Sequence, residues 1–188
     1  MGRIRYGVKN GYYAIATDDG TGKLTYDTPV AIKGIKSVSL DAQSDDIDEN
    51  ADNSEWYSGG DNKGYDGTVE FEDTAACETF KNAVLGAKKD SKTGAVIENI
   101  ADEAKEFAFG WETPYRGDTG ESAVTGKRVW MLRCKAQRPS EGGESKNVGT
   151  VSVKITALPR LDTGDVKKSI VSSDTGYASF FSAVEAAA

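Results

Sequence analysis

Several groups of residues in this sequence have types and spacings that chemistry could use. Asp46, Asp48, Asn50 and Asp52 fall at the first, third, fifth and seventh positions of a helix–loop–helix calcium site. The match then fails, because the sixth position, where glycine is needed, is Ala51 and the twelfth, where glutamate is needed, is Tyr57. Glu70 and Glu72 are two residues apart, so on a strand they point the same way at roughly 7 Å. A glycosidase carboxylate pair can use that separation, but nothing around them reads as a sugar cleft, and a wet sheet face is the simpler reading. The run from Gly117 to Gly126 is glycine-rich, yet it has neither the lysine–hydroxyl ending of a phosphate loop nor the dinucleotide fingerprint. Cys77 and Cys134 sit among apolar neighbours and read as small buried hydrophobes. The chain holds no histidine, which removes Ser-His-Asp and Cys-His nucleophiles and the commonest transition-metal ligand. No catalytic, cofactor-binding or metal-ligating residue is assigned, and the expectation is a protein that is not an enzyme.

The elements that would position such groups are short strands. Ile4, Tyr6 and Val8 alternate with basic residues, and Asn10-Gly11 offers a tight turn into a second strand through Tyr13 and Ile15. Val38 and Leu40 alternate with serines, and Val69 and Phe71 with Thr68, Glu70 and Glu72. Phe107, Phe109 and Trp111 mark a strand that Pro114 would stop. Trp130, Leu132, Cys134 and Ala136 read as one face of another. The clearest alternation is Val151, Val153, Ile155 and Ala157 against Thr150, Ser152, Lys154 and Thr156. Half-buried strands of this kind predict a mainly β protein, an antiparallel sandwich or barrel. One internal helix is expected, capped by Asp73, buried through Cys77, Phe80 and Val84, and ended by Gly86. A second short helical pattern, Tyr177, Phe181 and Val184, lies in the C-terminal segment at 165–188.

Length and composition fit one domain over 1–188: the chain has 188 residues, 38% hydrophobic and 28% charged. No apolar run approaches the ~20 residues of a membrane helix, and the basic start leads into no apolar signal segment. Few cysteines and no leader predict a cytoplasmic site of synthesis. The net charge of −7 is local in origin. Between Asp41 and Asp66 lie nine of the 30 acids and one of the 23 bases, Lys63, which leaves 21 acids and 22 bases elsewhere. Residues 42–66 therefore read as a long acidic loop or arm, an excursion that would repel phosphate. It also carries Trp56, Tyr57 and Tyr65, rings that either fold back on the domain or fill a partner's surface.

Several segments, taken in order, carry a family resemblance. They are Tyr6 to Ala14, Thr28 to Gly34, Val38 to Ala42, Ala51 to Asn53 with Gly64 to Gly67, Glu106 to Glu112, Cys134 to Pro139, Ile155 to Arg160 and Tyr177 to Val184. In order and spacing the chain resembles the major tail protein family of long-tailed bacteriophages, over nearly its whole length. Lys33 before Gly34 and the alanine-rich end depart from that pattern. The resemblance implies a β-sandwich or barrel with a flanking helix, hexameric rings stacked into a hollow tube, and double-stranded DNA passing through without specific binding. It implies a virion tail assembled in the host bacterial cytoplasm, with a tape-measure protein, a tail terminator and tail-tip proteins as partners. No cofactor and no membrane are expected. On this reading Asp45, Asp46, Asp48, Glu49, Asp52, Trp56, Tyr57 and Tyr65 form an assembly arm, disordered in the free subunit, and Glu70 and Glu72 face the channel. The alternative from another class is a surface-displayed carbohydrate-binding or adhesin β-sandwich.

Overall fold

A computed structural model describes residues 3–51, 54–117, 125–142 and 149–185, with side chains described for all of these except 3, 45–60, 116–117 and 125. The first strands are β1 (Arg3–Arg5), β2 (Lys9–Asp18), β3 (Leu24–Tyr26), β4 (Val30–Ile32), β5 (Ile35–Ala51) and β6 (Ser54–Glu72). Helix α1 (Ala75–Leu85) follows, then β7 (Lys88–Lys89), β8 (Val96–Ile97), β9 (Phe107–Gly117), β10 (Thr125–Ala136), β11 (Thr150–Ala157) and β12 (Lys167–Val171). The protein is mainly β, as the alternation predicts, with every strand pair antiparallel. The main sheet runs β3-β2-β9-β10-β11-β6-β5; β4 also pairs with β2, β1 with β9 and β12 with β10. β7 and β8 form a small hairpin of their own.

Strand β10 is where the sheet divides. Along its first half it pairs with β12, and beyond a register shift between Met131 and Cys134 it pairs with β11. That bulge moves the side chains by one face. Trp130 and Leu132 enter one buried cluster, Cys134 and Ala136 the other. The single apolar face expected for these four residues is thus split in two, because an extra residue inverts the alternation beyond it.

The larger cluster lies between the two halves of the sheet. Phe107, Phe109 and Tyr13 from one half meet Val69, Phe71, Val153 and Ile155 from the other, under Phe80 and Val84 of α1. Phe80 packs edge-on against Phe107 and Tyr13, at ring separations of 5.6 and 5.1 Å. The helix is capped by Thr74 rather than Asp73: the Thr74 hydroxyl accepts from the Cys77 amide at 3.2 Å. Asp73 lies in the bend between β6 and the helix, its amide donating to the Gly149 carbonyl at 3.0 Å. Gly86 ends the helix as expected. Both cysteines are fully buried, and burial pushes both thiol pKa values up.

Two breaks expected from the sequence are continuous strand instead. Asn10-Gly11 lies within β2 as an irregularity between Lys9 and Tyr12, with Asn10 at φ 52°. The strand is spared a turn because β1 and β2 both lie along one edge of β9. Pro114 does not stop β9 either; it sits opposite Gly126, and its carbonyl accepts from the Tyr6 amide at 2.9 Å.

The C-terminal pattern forms turns, not a helix, and it covers the outer side of β2, β9 and β10. Phe181 stacks on Tyr12 at 4.6 Å and meets Trp130 edge-on at 5.5 Å. Gly110 makes this possible, since a Cβ there would lie 2.7 Å from the Trp130 ring and 3.0 Å from Phe181. The Trp130 indole N–H donates to the Phe180 carbonyl at 3.0 Å, and Arg128 donates to the Tyr177 carbonyl. Arg128 also meets buried Glu112 at 3.0 Å, where Lys9 and Asn10 converge at 3.1 Å each. Burial alone would raise the Glu112 carboxyl pKa; these donors bring it below the usual range. Replacing Phe181 by alanine should cost about 3 kcal/mol in urea unfolding, the lower end for a buried phenylalanine. A loss under about 1 kcal/mol would mean that the strap merely rests on the fold.

Candidate functional site

The acidic excursion is a hairpin. Residues 42–66 were expected as a loop; instead β5 and β6 stay paired from Ile35↔Phe71 to Ala51↔Ser54. The physical reason is local. Two neighbouring polar segments satisfy each other's backbone groups with little loop to close, and strand pairing asks nothing of side-chain polarity. This pairing forms within one chain. A lone two-stranded ribbon is marginal in water.

The ribbon leaves the body of the sheet at Gly64. There φ is +108°, and a Cβ would sit 2.0 Å from the Ala157 carbonyl oxygen, so any other residue would push β6 off β11. The Asn62 side chain accepts from the Gly64 amide at 3.1 Å, and a register shift lies opposite, between Gln43 and Ser44. Below this point β6 has a strand on either side, β5 and β11; above it β6 pairs only with β5.

Of the expected arm residues, Asp45, Asp46, Asp48 and Glu49 fall on β5, and Trp56 and Tyr57 on β6, all with side chains outside the described set. Asp52 lies outside the described residues altogether. Tyr65 is at the root of the ribbon and folds back on its own domain. It is half-buried against the main cluster, with its hydroxyl accepting from Lys167 Nζ at 2.8 Å.

Glu70 and Glu72 do share one face. Val69 and Phe71 between them are fully buried, Glu70 is half-buried and Glu72 is exposed. Ser37 donates to Glu70 at 2.9 Å. Their face continues through Asp66 and Thr68 on β6, through Ser37, Ser39 and Asp41 on β5, and through Thr150, Ser152, Lys154 and Thr156 on β11. Asp66 accepts from the Thr156 hydroxyl at 2.7 Å and meets Lys154 at 3.2 Å; those hydrogen bonds, the threonine's first, hold its carboxyl below the usual carboxylate range. This half of the sheet is thus a hydroxyl-rich wall with acids predominating. It stands in contrast to the half that the strap covers.

β5 is the end of the sheet path, a 17-residue strand with one edge unpaired among the described residues. A second feature, which no local pattern of residues marks, is the mouth between the two half-sheets. Val38, Leu40 and Trp111 line a crevice of about 200 Å³ there, with Arg5, Lys127 and Lys167 around it. These residues come from distant strands, so only the face each one takes on its strand could have hinted at the grouping. No protein-family model matches the chain, and no curated protein matches it.

Deleting residues 44–63 and rejoining the strands through Asn-Gly should leave a folded domain. Its melting temperature should stay within about 3 °C of the intact chain, because none of the described side chains in this stretch belongs to either buried cluster; a 1 kcal/mol loss would already move a chain of this size by about that much. A drop beyond about 10 °C would show that the ribbon is part of the core after all.

Proposed function

We propose that the chain is the structural subunit of a bacteriophage tail tube, assembling into hexameric rings that stack around a channel for the genome. The observation that carries this reading is the open edge of β5 beside a polar, acid-rich sheet face. A long strand edge with unpaired backbone groups is a template for another chain, and β5 contains no proline to block pairing. Copies joined edge to edge would carry the wall of β5, β6 and β11 around a ring, with the strap-covered half outside. Contacts between rings are head to tail, and a heterologous contact that does not close makes a filament. The family resemblance of the sequence supports the same assignment and brings in its train the tape-measure, terminator and tail-tip proteins as partners.

The chemistry of the wall suits passage of DNA rather than binding. On this face the acids Asp41, Asp66, Glu70 and Glu72 outnumber the cations, and Lys154 is already paired with Asp66, which weakens the main driving force for adhesion of phosphate. At ~0.15 M salt their repulsion reaches only about 8 Å, so it acts at near contact. The role is structural and needs neither cofactor nor metal.

Sedimentation velocity and negative-stain microscopy at tens of micromolar, alone and seeded with tail tips, test the reading. Rings or tubes are expected; a strict monomer under every condition contradicts it. In assembled particles, replacing Glu70 and Glu72 by lysine should preserve tubes but make DNA adhere and slow its release. Unchanged release would remove these two residues from the channel.

A further inference from the structure

The mouth between the half-sheets combines an apolar floor with uncompensated positive charge. Val38, Leu40 and Trp111 form the floor, and Arg5, Lys127 and Lys167 surround it. None of the three cations is ion-paired among the described residues; Lys167 instead donates to the Tyr65 hydroxyl. Elsewhere three cations that lie against the body are ion-paired, Arg128 with Glu112, Arg133 with Glu106 and Arg160 with Asp162, while half-buried Lys168 donates to the Val184 carbonyl. Three like charges around one opening, unpaired, repel each other and favour an anionic occupant.

The same chain carries a matching segment. Residues 45–57 hold six acids (Asp45, Asp46, Asp48, Glu49, Asp52 and Glu55), no base, and the apolar Ile47, Trp56 and Tyr57. A subunit cannot insert its own tip. Tyr65 borders the crevice, and the ribbon stays paired as far as Ala51↔Ser54. Eleven residues of strand lead from Tyr65 to Ser54, so a straight paired ribbon sets its tip roughly 36 Å from the crevice at about 3.3 Å per residue.

We propose that the crevice at Arg5, Lys127, Lys167 and Trp111 is the receptor for the acidic, aromatic hairpin tip of a second copy of this chain. The contact is heterologous, tip of one subunit into mouth of the next, and so can repeat without closing. It deepens the self-assembly reading above by naming the two surfaces that meet, and it rests on that reading for its biological setting, not for the binding step. The acids meet the rim cations while Trp56 or Tyr57 covers the apolar floor, the pairing of charge and aromatic anchor common at interface centres.

The test uses the full chain, held below its self-association concentration, and a dye-labelled peptide spanning residues 43–66. The peptide should bind, and raising NaCl from 50 to 500 mM should weaken binding about tenfold, as expected for exposed ion pairs. The triple reversal R5E/K127E/K167E should weaken it at least tenfold. A peptide in which Asp45, Asp46 and Asp48 are lysine should fail on the native chain and bind the reversed chain within about threefold of the native pair. Should the triple reversal fold poorly by circular dichroism, the neutral pair K127Q/K167Q must still weaken the native peptide at least threefold. A native chain that binds no peptide, or variants that bind it unchanged, overturn the proposal. The outcomes separate the two readings: tubes that form normally from the reversed chain refute the receptor alone, and charge-dependent peptide binding by a chain that never polymerises refutes the tube alone.

Discussion

Strand β9 is buried on both faces, and much of the molecule follows from that. Phe107 and Phe109 point into the space between the half-sheets, while Ala108 and Gly110 point the other way, all four fully or nearly fully out of water. Small residues on the second face let Trp130 and Phe181 lie directly across the strand, and only a covering segment can make that face dry. The C-terminal strap supplies it, held at Trp130, at Arg128 and through the Arg160 pairing with Glu185. One half of the sheet is therefore wrapped on both sides. The other half, β11, β6 and β5, keeps a wet face and, among the described residues, an unpaired edge on β5. That asymmetry is the structural basis for reading the protein as a building block.

Two departures from regular strand geometry convert a plain sandwich into this two-sided body. The bulge between Met131 and Cys134 sends the halves of β10 to different clusters, so one strand serves both cores. Gly64 lets β6 run on past the last rung of β11, so the sheet extends into a two-stranded ribbon of β5 and β6. Each costs the regular ladder a local irregularity, and each lies where the sheet changes partner. Irregularities at such places are features of the design of a sheet.

Much of this was legible in the sequence where side chains obey a period of two. Val151 to Ala157 and Val69 to Phe71 bury the expected face, and with them came the outward placement of Glu70 and Glu72. The misreadings have a common cause. Asn10-Gly11 and Pro114 are turn and stop signals locally, but pairing along β9 overrides them. Trp130 to Ala136 alternates cleanly on paper, and nothing in the letters marks the bulge that inverts it. Asp73 and Thr74 are both good caps by residue type, and the helix starts one residue late enough for the Thr74 hydroxyl to take the role. The acidic ribbon was read as a loop because its polarity hides a backbone ladder that needs no apolar residues. The crevice cations were illegible for a different reason: Arg5, Lys127 and Lys167 are brought together by topology alone.

The central claim is that the wet half of the sheet becomes an inner wall when copies join along β5. A high-resolution electron cryo-microscopy map of the assembled particle tests it most directly. The account predicts Glu70 and Glu72 on the channel surface, with the open edge of β5 hydrogen-bonded to a strand of the neighbouring subunit. A map that places both glutamates on the outer wall, or leaves the β5 edge facing solvent, would contradict it.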